Sequence, residues 1–193
     1  MTLKTNKTYK IDVFQDRTFR QNSSDNSNEY NFEYLEKIDY NFPSIFGIKI
    51  YSDDNLIKSA IIGSDGGGTA DDENSKIVEN DRILICCSNS IFCLSIPDLT
   101  LLWQTKADEV ICFEILKYKD SYIVHGELEI TRLDIDGKII WQKSGADIFA
   151  TPSSDNHIQL TDEFIIAVDW DNRIYKFGYE GQDYTDMGQF EKN

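Results

Sequence analysis

The chain has 193 residues, 40% of them hydrophobic and 12% aromatic, which is enough for one well-filled core and a single domain spanning 1–193. Its 34 acids against 19 bases give a formal charge of -15, which repels phosphate backbones and anionic bilayers and so argues against nucleic acid or a membrane as partner. No apolar h-region opens the chain and no stretch approaches the ~20 apolar residues that span a bilayer, so a cytoplasmic protein is expected. Tyr9 to Phe14 reads as a short strand, and the polar segment RQNSSDNSNEYN after it as a mobile loop, because Asn, Ser and Asp bury little apolar surface. Asn31 to Ile38 has weak helical periodicity and is too short to stand alone as a helix. In IFGIKIYSDDNLIKSAIIG two β-branched runs flank Asp53-Asp54-Asn55 and predict a hairpin. SDGGGTADDENS, Ser64 to Ser75, is a polar, glycine-rich connection that closes an N-terminal part of strands and loops over 1–75.

A repeat region follows over 76–185, with a flexible tail expected at 186–193. DRILICCSNSIFCLSIPDLTLLWQ and DSYIVHGELEITRLDIDGKIIWQ register closely: Asp81 to Asp120, Ile91 to Ile130 and Leu94 to Leu133 are each 39 residues, and Trp103 to Trp141 is 38. A third copy, DEFIIAVDWDNRIYKFGYEGQ, follows at 44 residues by Ile130 to Ile174 and Gly137 to Gly181, and it lacks the tryptophan, as a terminal unit can. Pro97-Asp98, Asp136-Gly137 and Glu180-Gly181 suit tight reversals. Each unit therefore reads as an antiparallel meander of three or four strands. Runs such as Ile91-Phe92-Cys93-Leu94 do not alternate, so both faces of those strands should be covered by stacked sheets. Cys86, Cys87, Cys93 and Cys112 lie in such runs and read as buried thiols. Neighbours in a strand point to opposite faces, so Cys86 and Cys87 are poorly placed to share one metal.

A strand ending in Leu-Asp, an Asp-Gly turn and a tryptophan, as in ITRLDIDGKIIWQ, resembles the repeat of quinoprotein-like (PQQ-type) β-propellers, whose layout is related to WD-type blades. The resemblance covers residues 78 to 185, with the tryptophan matched at Trp103 and Trp141. It implies blade-like sheets. Closed propellers typically have about four to eight blades, and this chain has room for four. The fold class expected is all-β, a small or partial propeller, with a β-sandwich or an open twisted sheet as alternatives. No cofactor is expected, because no set of cations over a channel is visible to hold a quinone's carboxylates.

Chemistry-bearing residues are few. His125-Gly126-Glu127 aligns with the turns at Ser88-Asn89-Ser90 and Asp171-Asn172 and reads as a hairpin tip. Were the protein an enzyme or a small-ligand binder, His125 would act as a base oriented by Glu127, with Asp147 and Asp169 in the same acidic cleft. No nucleophile motif completes such a set. No metal site is expected: His125 and His157 stand 32 residues apart in separate units, and Asp134 to Gly137 (DIDG) has Gly145 where a calcium loop needs a glutamate. Gly66-Gly67-Gly68 lacks a following lysine and precedes acids, so it reads as a loop rather than a phosphate cradle. The expected function is an acidic protein-interaction module, such as an inhibitor or immunity protein, docking a basic protein through Asp65, Asp71, Asp72, Glu73 and Asp171. A self-associating structural unit with an exposed strand edge is the third reading.

Overall fold

The computed structural model describes residues 9–38, 40–150 and 157–185; the tail expected at 186–193 lies outside them. Among the described residues there is no α-helix, and no helix long and apolar enough to cross a membrane. The fold is all-β. The first sheet holds β1 (Lys10–Gln15), β2 (Phe32–Leu35), β3 (Ile45–Ser52) and β4 (Asn55–Gly63) in the order β1-β3-β4-β2. The second holds β5 (Lys76–Val78), β6 (Arg82–Cys87), β7 (Ser90–Ser95) and β8 (Leu101–Lys106) in chain order. The third repeats that meander with β9 (Cys112–Tyr118), β10 (Ser121–Gly126), β11 (Glu129–Asp134) and β12 (Ile139–Ser144). The fourth holds β13 (Ile158–Leu160), β14 (Phe164–Val168) and β15 (Ile174–Gly178), after which Asp183 bridges back to Phe177.

The N-terminal segment joins the array as its first sheet. Asp53 and Asp54 carry the β3–β4 turn at φ 50° and 62°, the left-handed geometry that matches strand twist and that short polar side chains tolerate. One departure from the expected meander is β2, which comes from the Asn31 to Ile38 stretch and pairs parallel to the outer edge of β4. The other is the polar segment before it, expected to be a mobile loop. It is pinned instead through buried Asp16, whose carboxylate accepts hydrogen bonds from Tyr30 Oη (2.7 Å), Asn28 Nδ2 (2.9 Å) and Thr18 Oγ1 (3.0 Å). Burial alone would raise the Asp16 carboxyl, but these bonds and the Phe19 N–H hold it below the usual carboxylate range. Phe19 and Tyr30 then pack edge to face against Ile45 and Ile61, covering the outer face of the first sheet.

Strand alternation explains the stacking. In β6, Ile83, Ile85 and Cys87 face the first sheet's Phe46, Ile48, Ile50 and Ile62, whereas Leu84 and Cys86 face the third sheet's Ile115, Tyr122, Val124 and Leu133. A third cluster joins Ile123 and Ile130 to Phe149, Ile165, Ala167 and Phe177 of the fourth sheet and its approach. The non-alternating apolar runs are thus buried on both faces, as expected for stacked sheets. Apolar clusters join each sheet to the next, and among the described residues none joins the fourth to the first, an arrangement that fits open, blade-like sheets.

The repeated tryptophan is a contact between sheets. Trp103 at the end of the second sheet donates its indole N–H to Ile135 O (3.3 Å) and lies against Gly137 in the β11–β12 turn. Trp141 repeats this one sheet on, donating to Tyr179 O (2.9 Å), with its ring 3.0 Å from where a Cβ on Gly181 would stand. Both glycines have positive φ, 79° and 87°, and any side chain there would meet the indole. Tyr34 of β2 takes the same part between the first and second sheets, donating to Leu99 O (3.0 Å) and accepting from Leu101 N–H (3.2 Å). The third repeat copy has Thr185, not tryptophan, four residues after its glycine, where no further sheet follows among the described residues.

Candidate functional site

With four strands per meander, every connection between sheets returns to the end that carries the β6–β7, β10–β11 and β14–β15 turns. Backbone hydrogen bonds lace this end together. Asn89 donates to Asp65 O, and Ala107 and Asp108 donate to Asn89 O. One unit on, Glu127 donates to Ile111 O and Phe149 to Glu127 O, and then Trp170 donates to Ile148 O. Turns that would otherwise be loose become a fixed rim.

The rim's anchor is Asp108, 1% exposed and not singled out by the sequence. Its Oδ1 accepts the N–H groups of Val110 (2.6 Å) and Ile111 (3.0 Å), and its Oδ2 those of Leu128 (2.8 Å) and Glu129 (2.9 Å). Gly126 beside His125 exists for this carboxylate, since a Cβ there would collide with Asp108 Oδ2. Asp65 and Asp147 stand at the same point of their own connections and accept the next residue's N–H, Gly66 (2.6 Å) and Ile148 (2.8 Å). The signal was available: Asp108 and Asp147 are 39 residues apart, the repeat's own step. Burial and the Asp108 charge together raise the Glu129 carboxyl.

The acids expected to bind a partner do lie on this rim or its first connection, and several are engaged. Asp65 accepts from Tyr40 Oη, Asp71 pairs with Lys76 (2.8 Å), and Asp72 Oδ1 caps the N–H groups of Asn74 and Ser75 (both 2.9 Å). Asp171 pairs with Arg173 (2.6 Å). Glu73 is exposed. The three glycines do not form a phosphate cradle: Gly66 N–H goes to Asp65 and Gly67 N–H to Val110 O (2.7 Å).

The four residues proposed for an enzyme cleft are not brought together. His125 is not a hairpin tip but the penultimate residue of β10, in line with Cys86 of β6, and only 1% exposed. Its partner is Glu114 rather than Glu127: antiparallel pairing of β9 with β10 sets Glu114 directly opposite, Nδ1 to Oε1 3.0 Å. The other nitrogen faces Phe149 O at 2.6 Å. With Glu114 on one side and a carbonyl on the other, neither ring nitrogen is left to act as a base on a substrate. Glu127 lies in the β10–β11 turn, tied by its backbone. Asp147 stands on the rim. Asp169 is buried; burial opposes its charge, but the Arg173 N–H (2.9 Å), the Tyr175 hydroxyl (2.8 Å) and the Arg173 guanidinium (2.9 Å) hold its carboxyl below the usual range.

What surrounds His125 is a recess of about 240 Å³ lined by Asp72, Asn74, Phe113, Glu114, Phe149, Ala150 and His157. The two imidazoles, 32 residues apart in sequence, come within 5.9 Å between ring centroids. Among the described residues no group of three or more His, Cys, Asp or Glu is placed to hold a metal ion. The cysteines are buried free thiols, and burial raises all four, Cys93 to about 12, which makes them apolar filling rather than nucleophiles.

No protein-family model matches the chain, and no curated protein matches it. Among solved structures, the computationally designed Ika4 protein aligns with a TM-score of 0.47 and 8% identity over 63% of this chain and 77% of its own. The computationally designed Ika8 protein gives 0.49 and 8% over 77% of this chain and 48% of its own, and the AfRom2 CNH domain 0.46 and 13% over 72% and 48%. At these scores and identities the likenesses add nothing to the architecture above, and the resemblance to quinoprotein-type repeats rests on the sequence motifs alone.

Proposed function

We propose that the chain is a protein-interaction module that docks a basic partner on its laced rim. The observation that carries this reading is the rim's charge. In its connections and turns, 64–75, 88–89, 106–111, 126–129, 144–150 and 169–173, acids far outnumber the two cations, Lys106 and Arg173. Both cations are already ion-paired within the chain, Lys106 to Glu109 (2.5 Å) and Arg173 to Asp169 (2.9 Å) and Asp171. Beside these carboxylates the indole of Trp170 is 49% exposed, next to a groove of about 360 Å³ lined by residues that include Leu128, Glu129, Asp147 and Ile148. An exposed tryptophan bordered by charge suits a binding anchor, and rigid loops on a scaffold are where binding residues commonly sit. An inhibitor or immunity protein covering a basic enzyme is the form of this reading that the chain's size and charge fit.

The test is titration of a partner captured from native extract against variants at the two ends of the sheets. Trp170→Ala should weaken binding by about tenfold or more, and added salt should slow association. Asp120→Asn and Asp162→Asn, in turns at the opposite end, should leave affinity unchanged. Equal losses at both ends, or binding indifferent to salt, would overturn the reading.

A further inference from the structure

The recess around His125 borders the rim, sharing Asp72, Asn74, Phe149 and Ala150 with its connections, and its chemistry specifies a ligand. It forms where the first connection crosses β9, an edge strand of the third sheet: Ile115 N–H donates to Asn74 O (3.0 Å), setting Asp72 and Asn74 beside Phe113 and Glu114. The far wall is Phe149, Ala150 and His157 at the entry to the fourth sheet. His125 is part of the wall rather than a free ligand group, since Glu114 and Phe149 O take both its nitrogens. Its ring stands 5.3 Å from that of Phe113 and 5.9 Å from that of His157, so much of the lining is aromatic.

The other polar groups of the lining are the carboxylates of Glu114 and Asp72, the Asn74 amide and the His157 ring. Glu114 uses Oε1 on His125 and Asp72 uses Oδ1 on two backbone N–H groups. The second oxygen of each accepts no hydrogen bond among the described residues. Among the described residues no lysine or arginine lines the recess. An anionic ligand would be repelled and a neutral hydroxyl would donate one bond without offsetting the charge, whereas an ammonium group donates charge-assisted bonds to both carboxylates while an apolar body rests on the aromatic rings. The chain's charge of -15 raises the local concentration of any cation. At about 240 Å³ the space falls just below the roughly 300–1,000 Å³ of most ligand sites, which suits a compact molecule.

We propose that this recess binds a small organic monocation, a primary ammonium group on a short apolar body, with Glu114 and Asp72 receiving the ammonium and Phe113 with the two imidazoles enclosing the body. The chain's two histidines both line the recess, so their ring proton signals report on it directly. Titrating the intact protein with n-butylammonium chloride should shift both histidine signals saturably. 1-Pentanol, the neutral isostere, and potassium chloride at matched ionic strength should not. Asp72→Asn retains an oxygen to cap Asn74 and Ser75, so the fold persists while affinity falls about tenfold; Glu114→Gln should weaken binding as well. No saturable shift with butylammonium, the same shift with the alcohol or the salt, or undiminished affinity in folded Asp72→Asn would each overturn the proposal. None of these outcomes bears on the rim, which Trp170→Ala tests by itself.

Discussion

At the scale of single residues, the decisive groups are buried carboxylates with several N–H donors each. Asp108→Asn keeps one oxygen for two donors and turns an amide NH2 toward Leu128 and Glu129, so it should cost about 1–3 kcal/mol in urea unfolding at neutral pH. Two other acids predict opposite signs. The Asp169 carboxyl is held low in the folded protein, so its stabilisation is complete above its unfolded pKa and disappears as pH falls through the folded one; Asp169→Asn should lose stability at pH 7 and match the wild type in strong acid. Glu129 is held high, so the folded state favours its proton and the charged form is penalised as pH rises above the usual carboxylate range. Glu129→Gln should therefore raise the melting temperature at neutral pH, with the gain vanishing in acid. The repeat's 39-residue step marked Asp108 against Asp147, but the burial of these acids was not legible in the sequence, because a buried aspartate in a turn looks like any other turn aspartate. His125 was visible as an unusual residue, but its partner was not. Glu114 is opposite it only once the β9–β10 register is fixed by the turn at Lys119-Asp120, and that strand, CFEILKY, mixes charges with apolar residues in no clean period.

At the scale of elements, the recurring tryptophan was read correctly as a repeat marker, yet its partner glycine was read only as a turn former. The structure gives Gly137 both tasks, a φ of 79° and the absence of a side chain beneath Trp103. Trp103→Ala should destabilise by about 3 kcal/mol, near the lower end for tryptophan truncation because the ring is half-buried. Gly137→Ala should cost at least about 1 kcal/mol from backbone strain alone. Because both changes break one contact, the double variant should lose less than the sum, which a double-mutant cycle by chemical denaturation measures. Two of the strands missed in the sequence are very short edge strands. Lys76–Val78 and Ile158–Leu160 are three residues long, too short for any periodicity to register.

At the scale of the whole molecule, the repeat and its non-alternating apolar runs foretold the all-β class and the stacked sheets, but not the path of the N-terminal segment, whose parallel β2 depends on a detour no local pattern encodes. Net charge acts on the molecule as a unit. At -15, self-repulsion opposes compaction, so moderate sodium chloride should raise the thermal midpoint while weakening docking at the rim, two opposite salt responses from one charge. The indole contacts also give the array a direction, since Tyr34, Trp103 and Trp141 each reach forward into the sheet that follows. The third sheet carries both halves of the fastening, Trp141 for its successor and Gly137 for its predecessor. Copying the segment that holds it would add a sheet with both fastenings already in place.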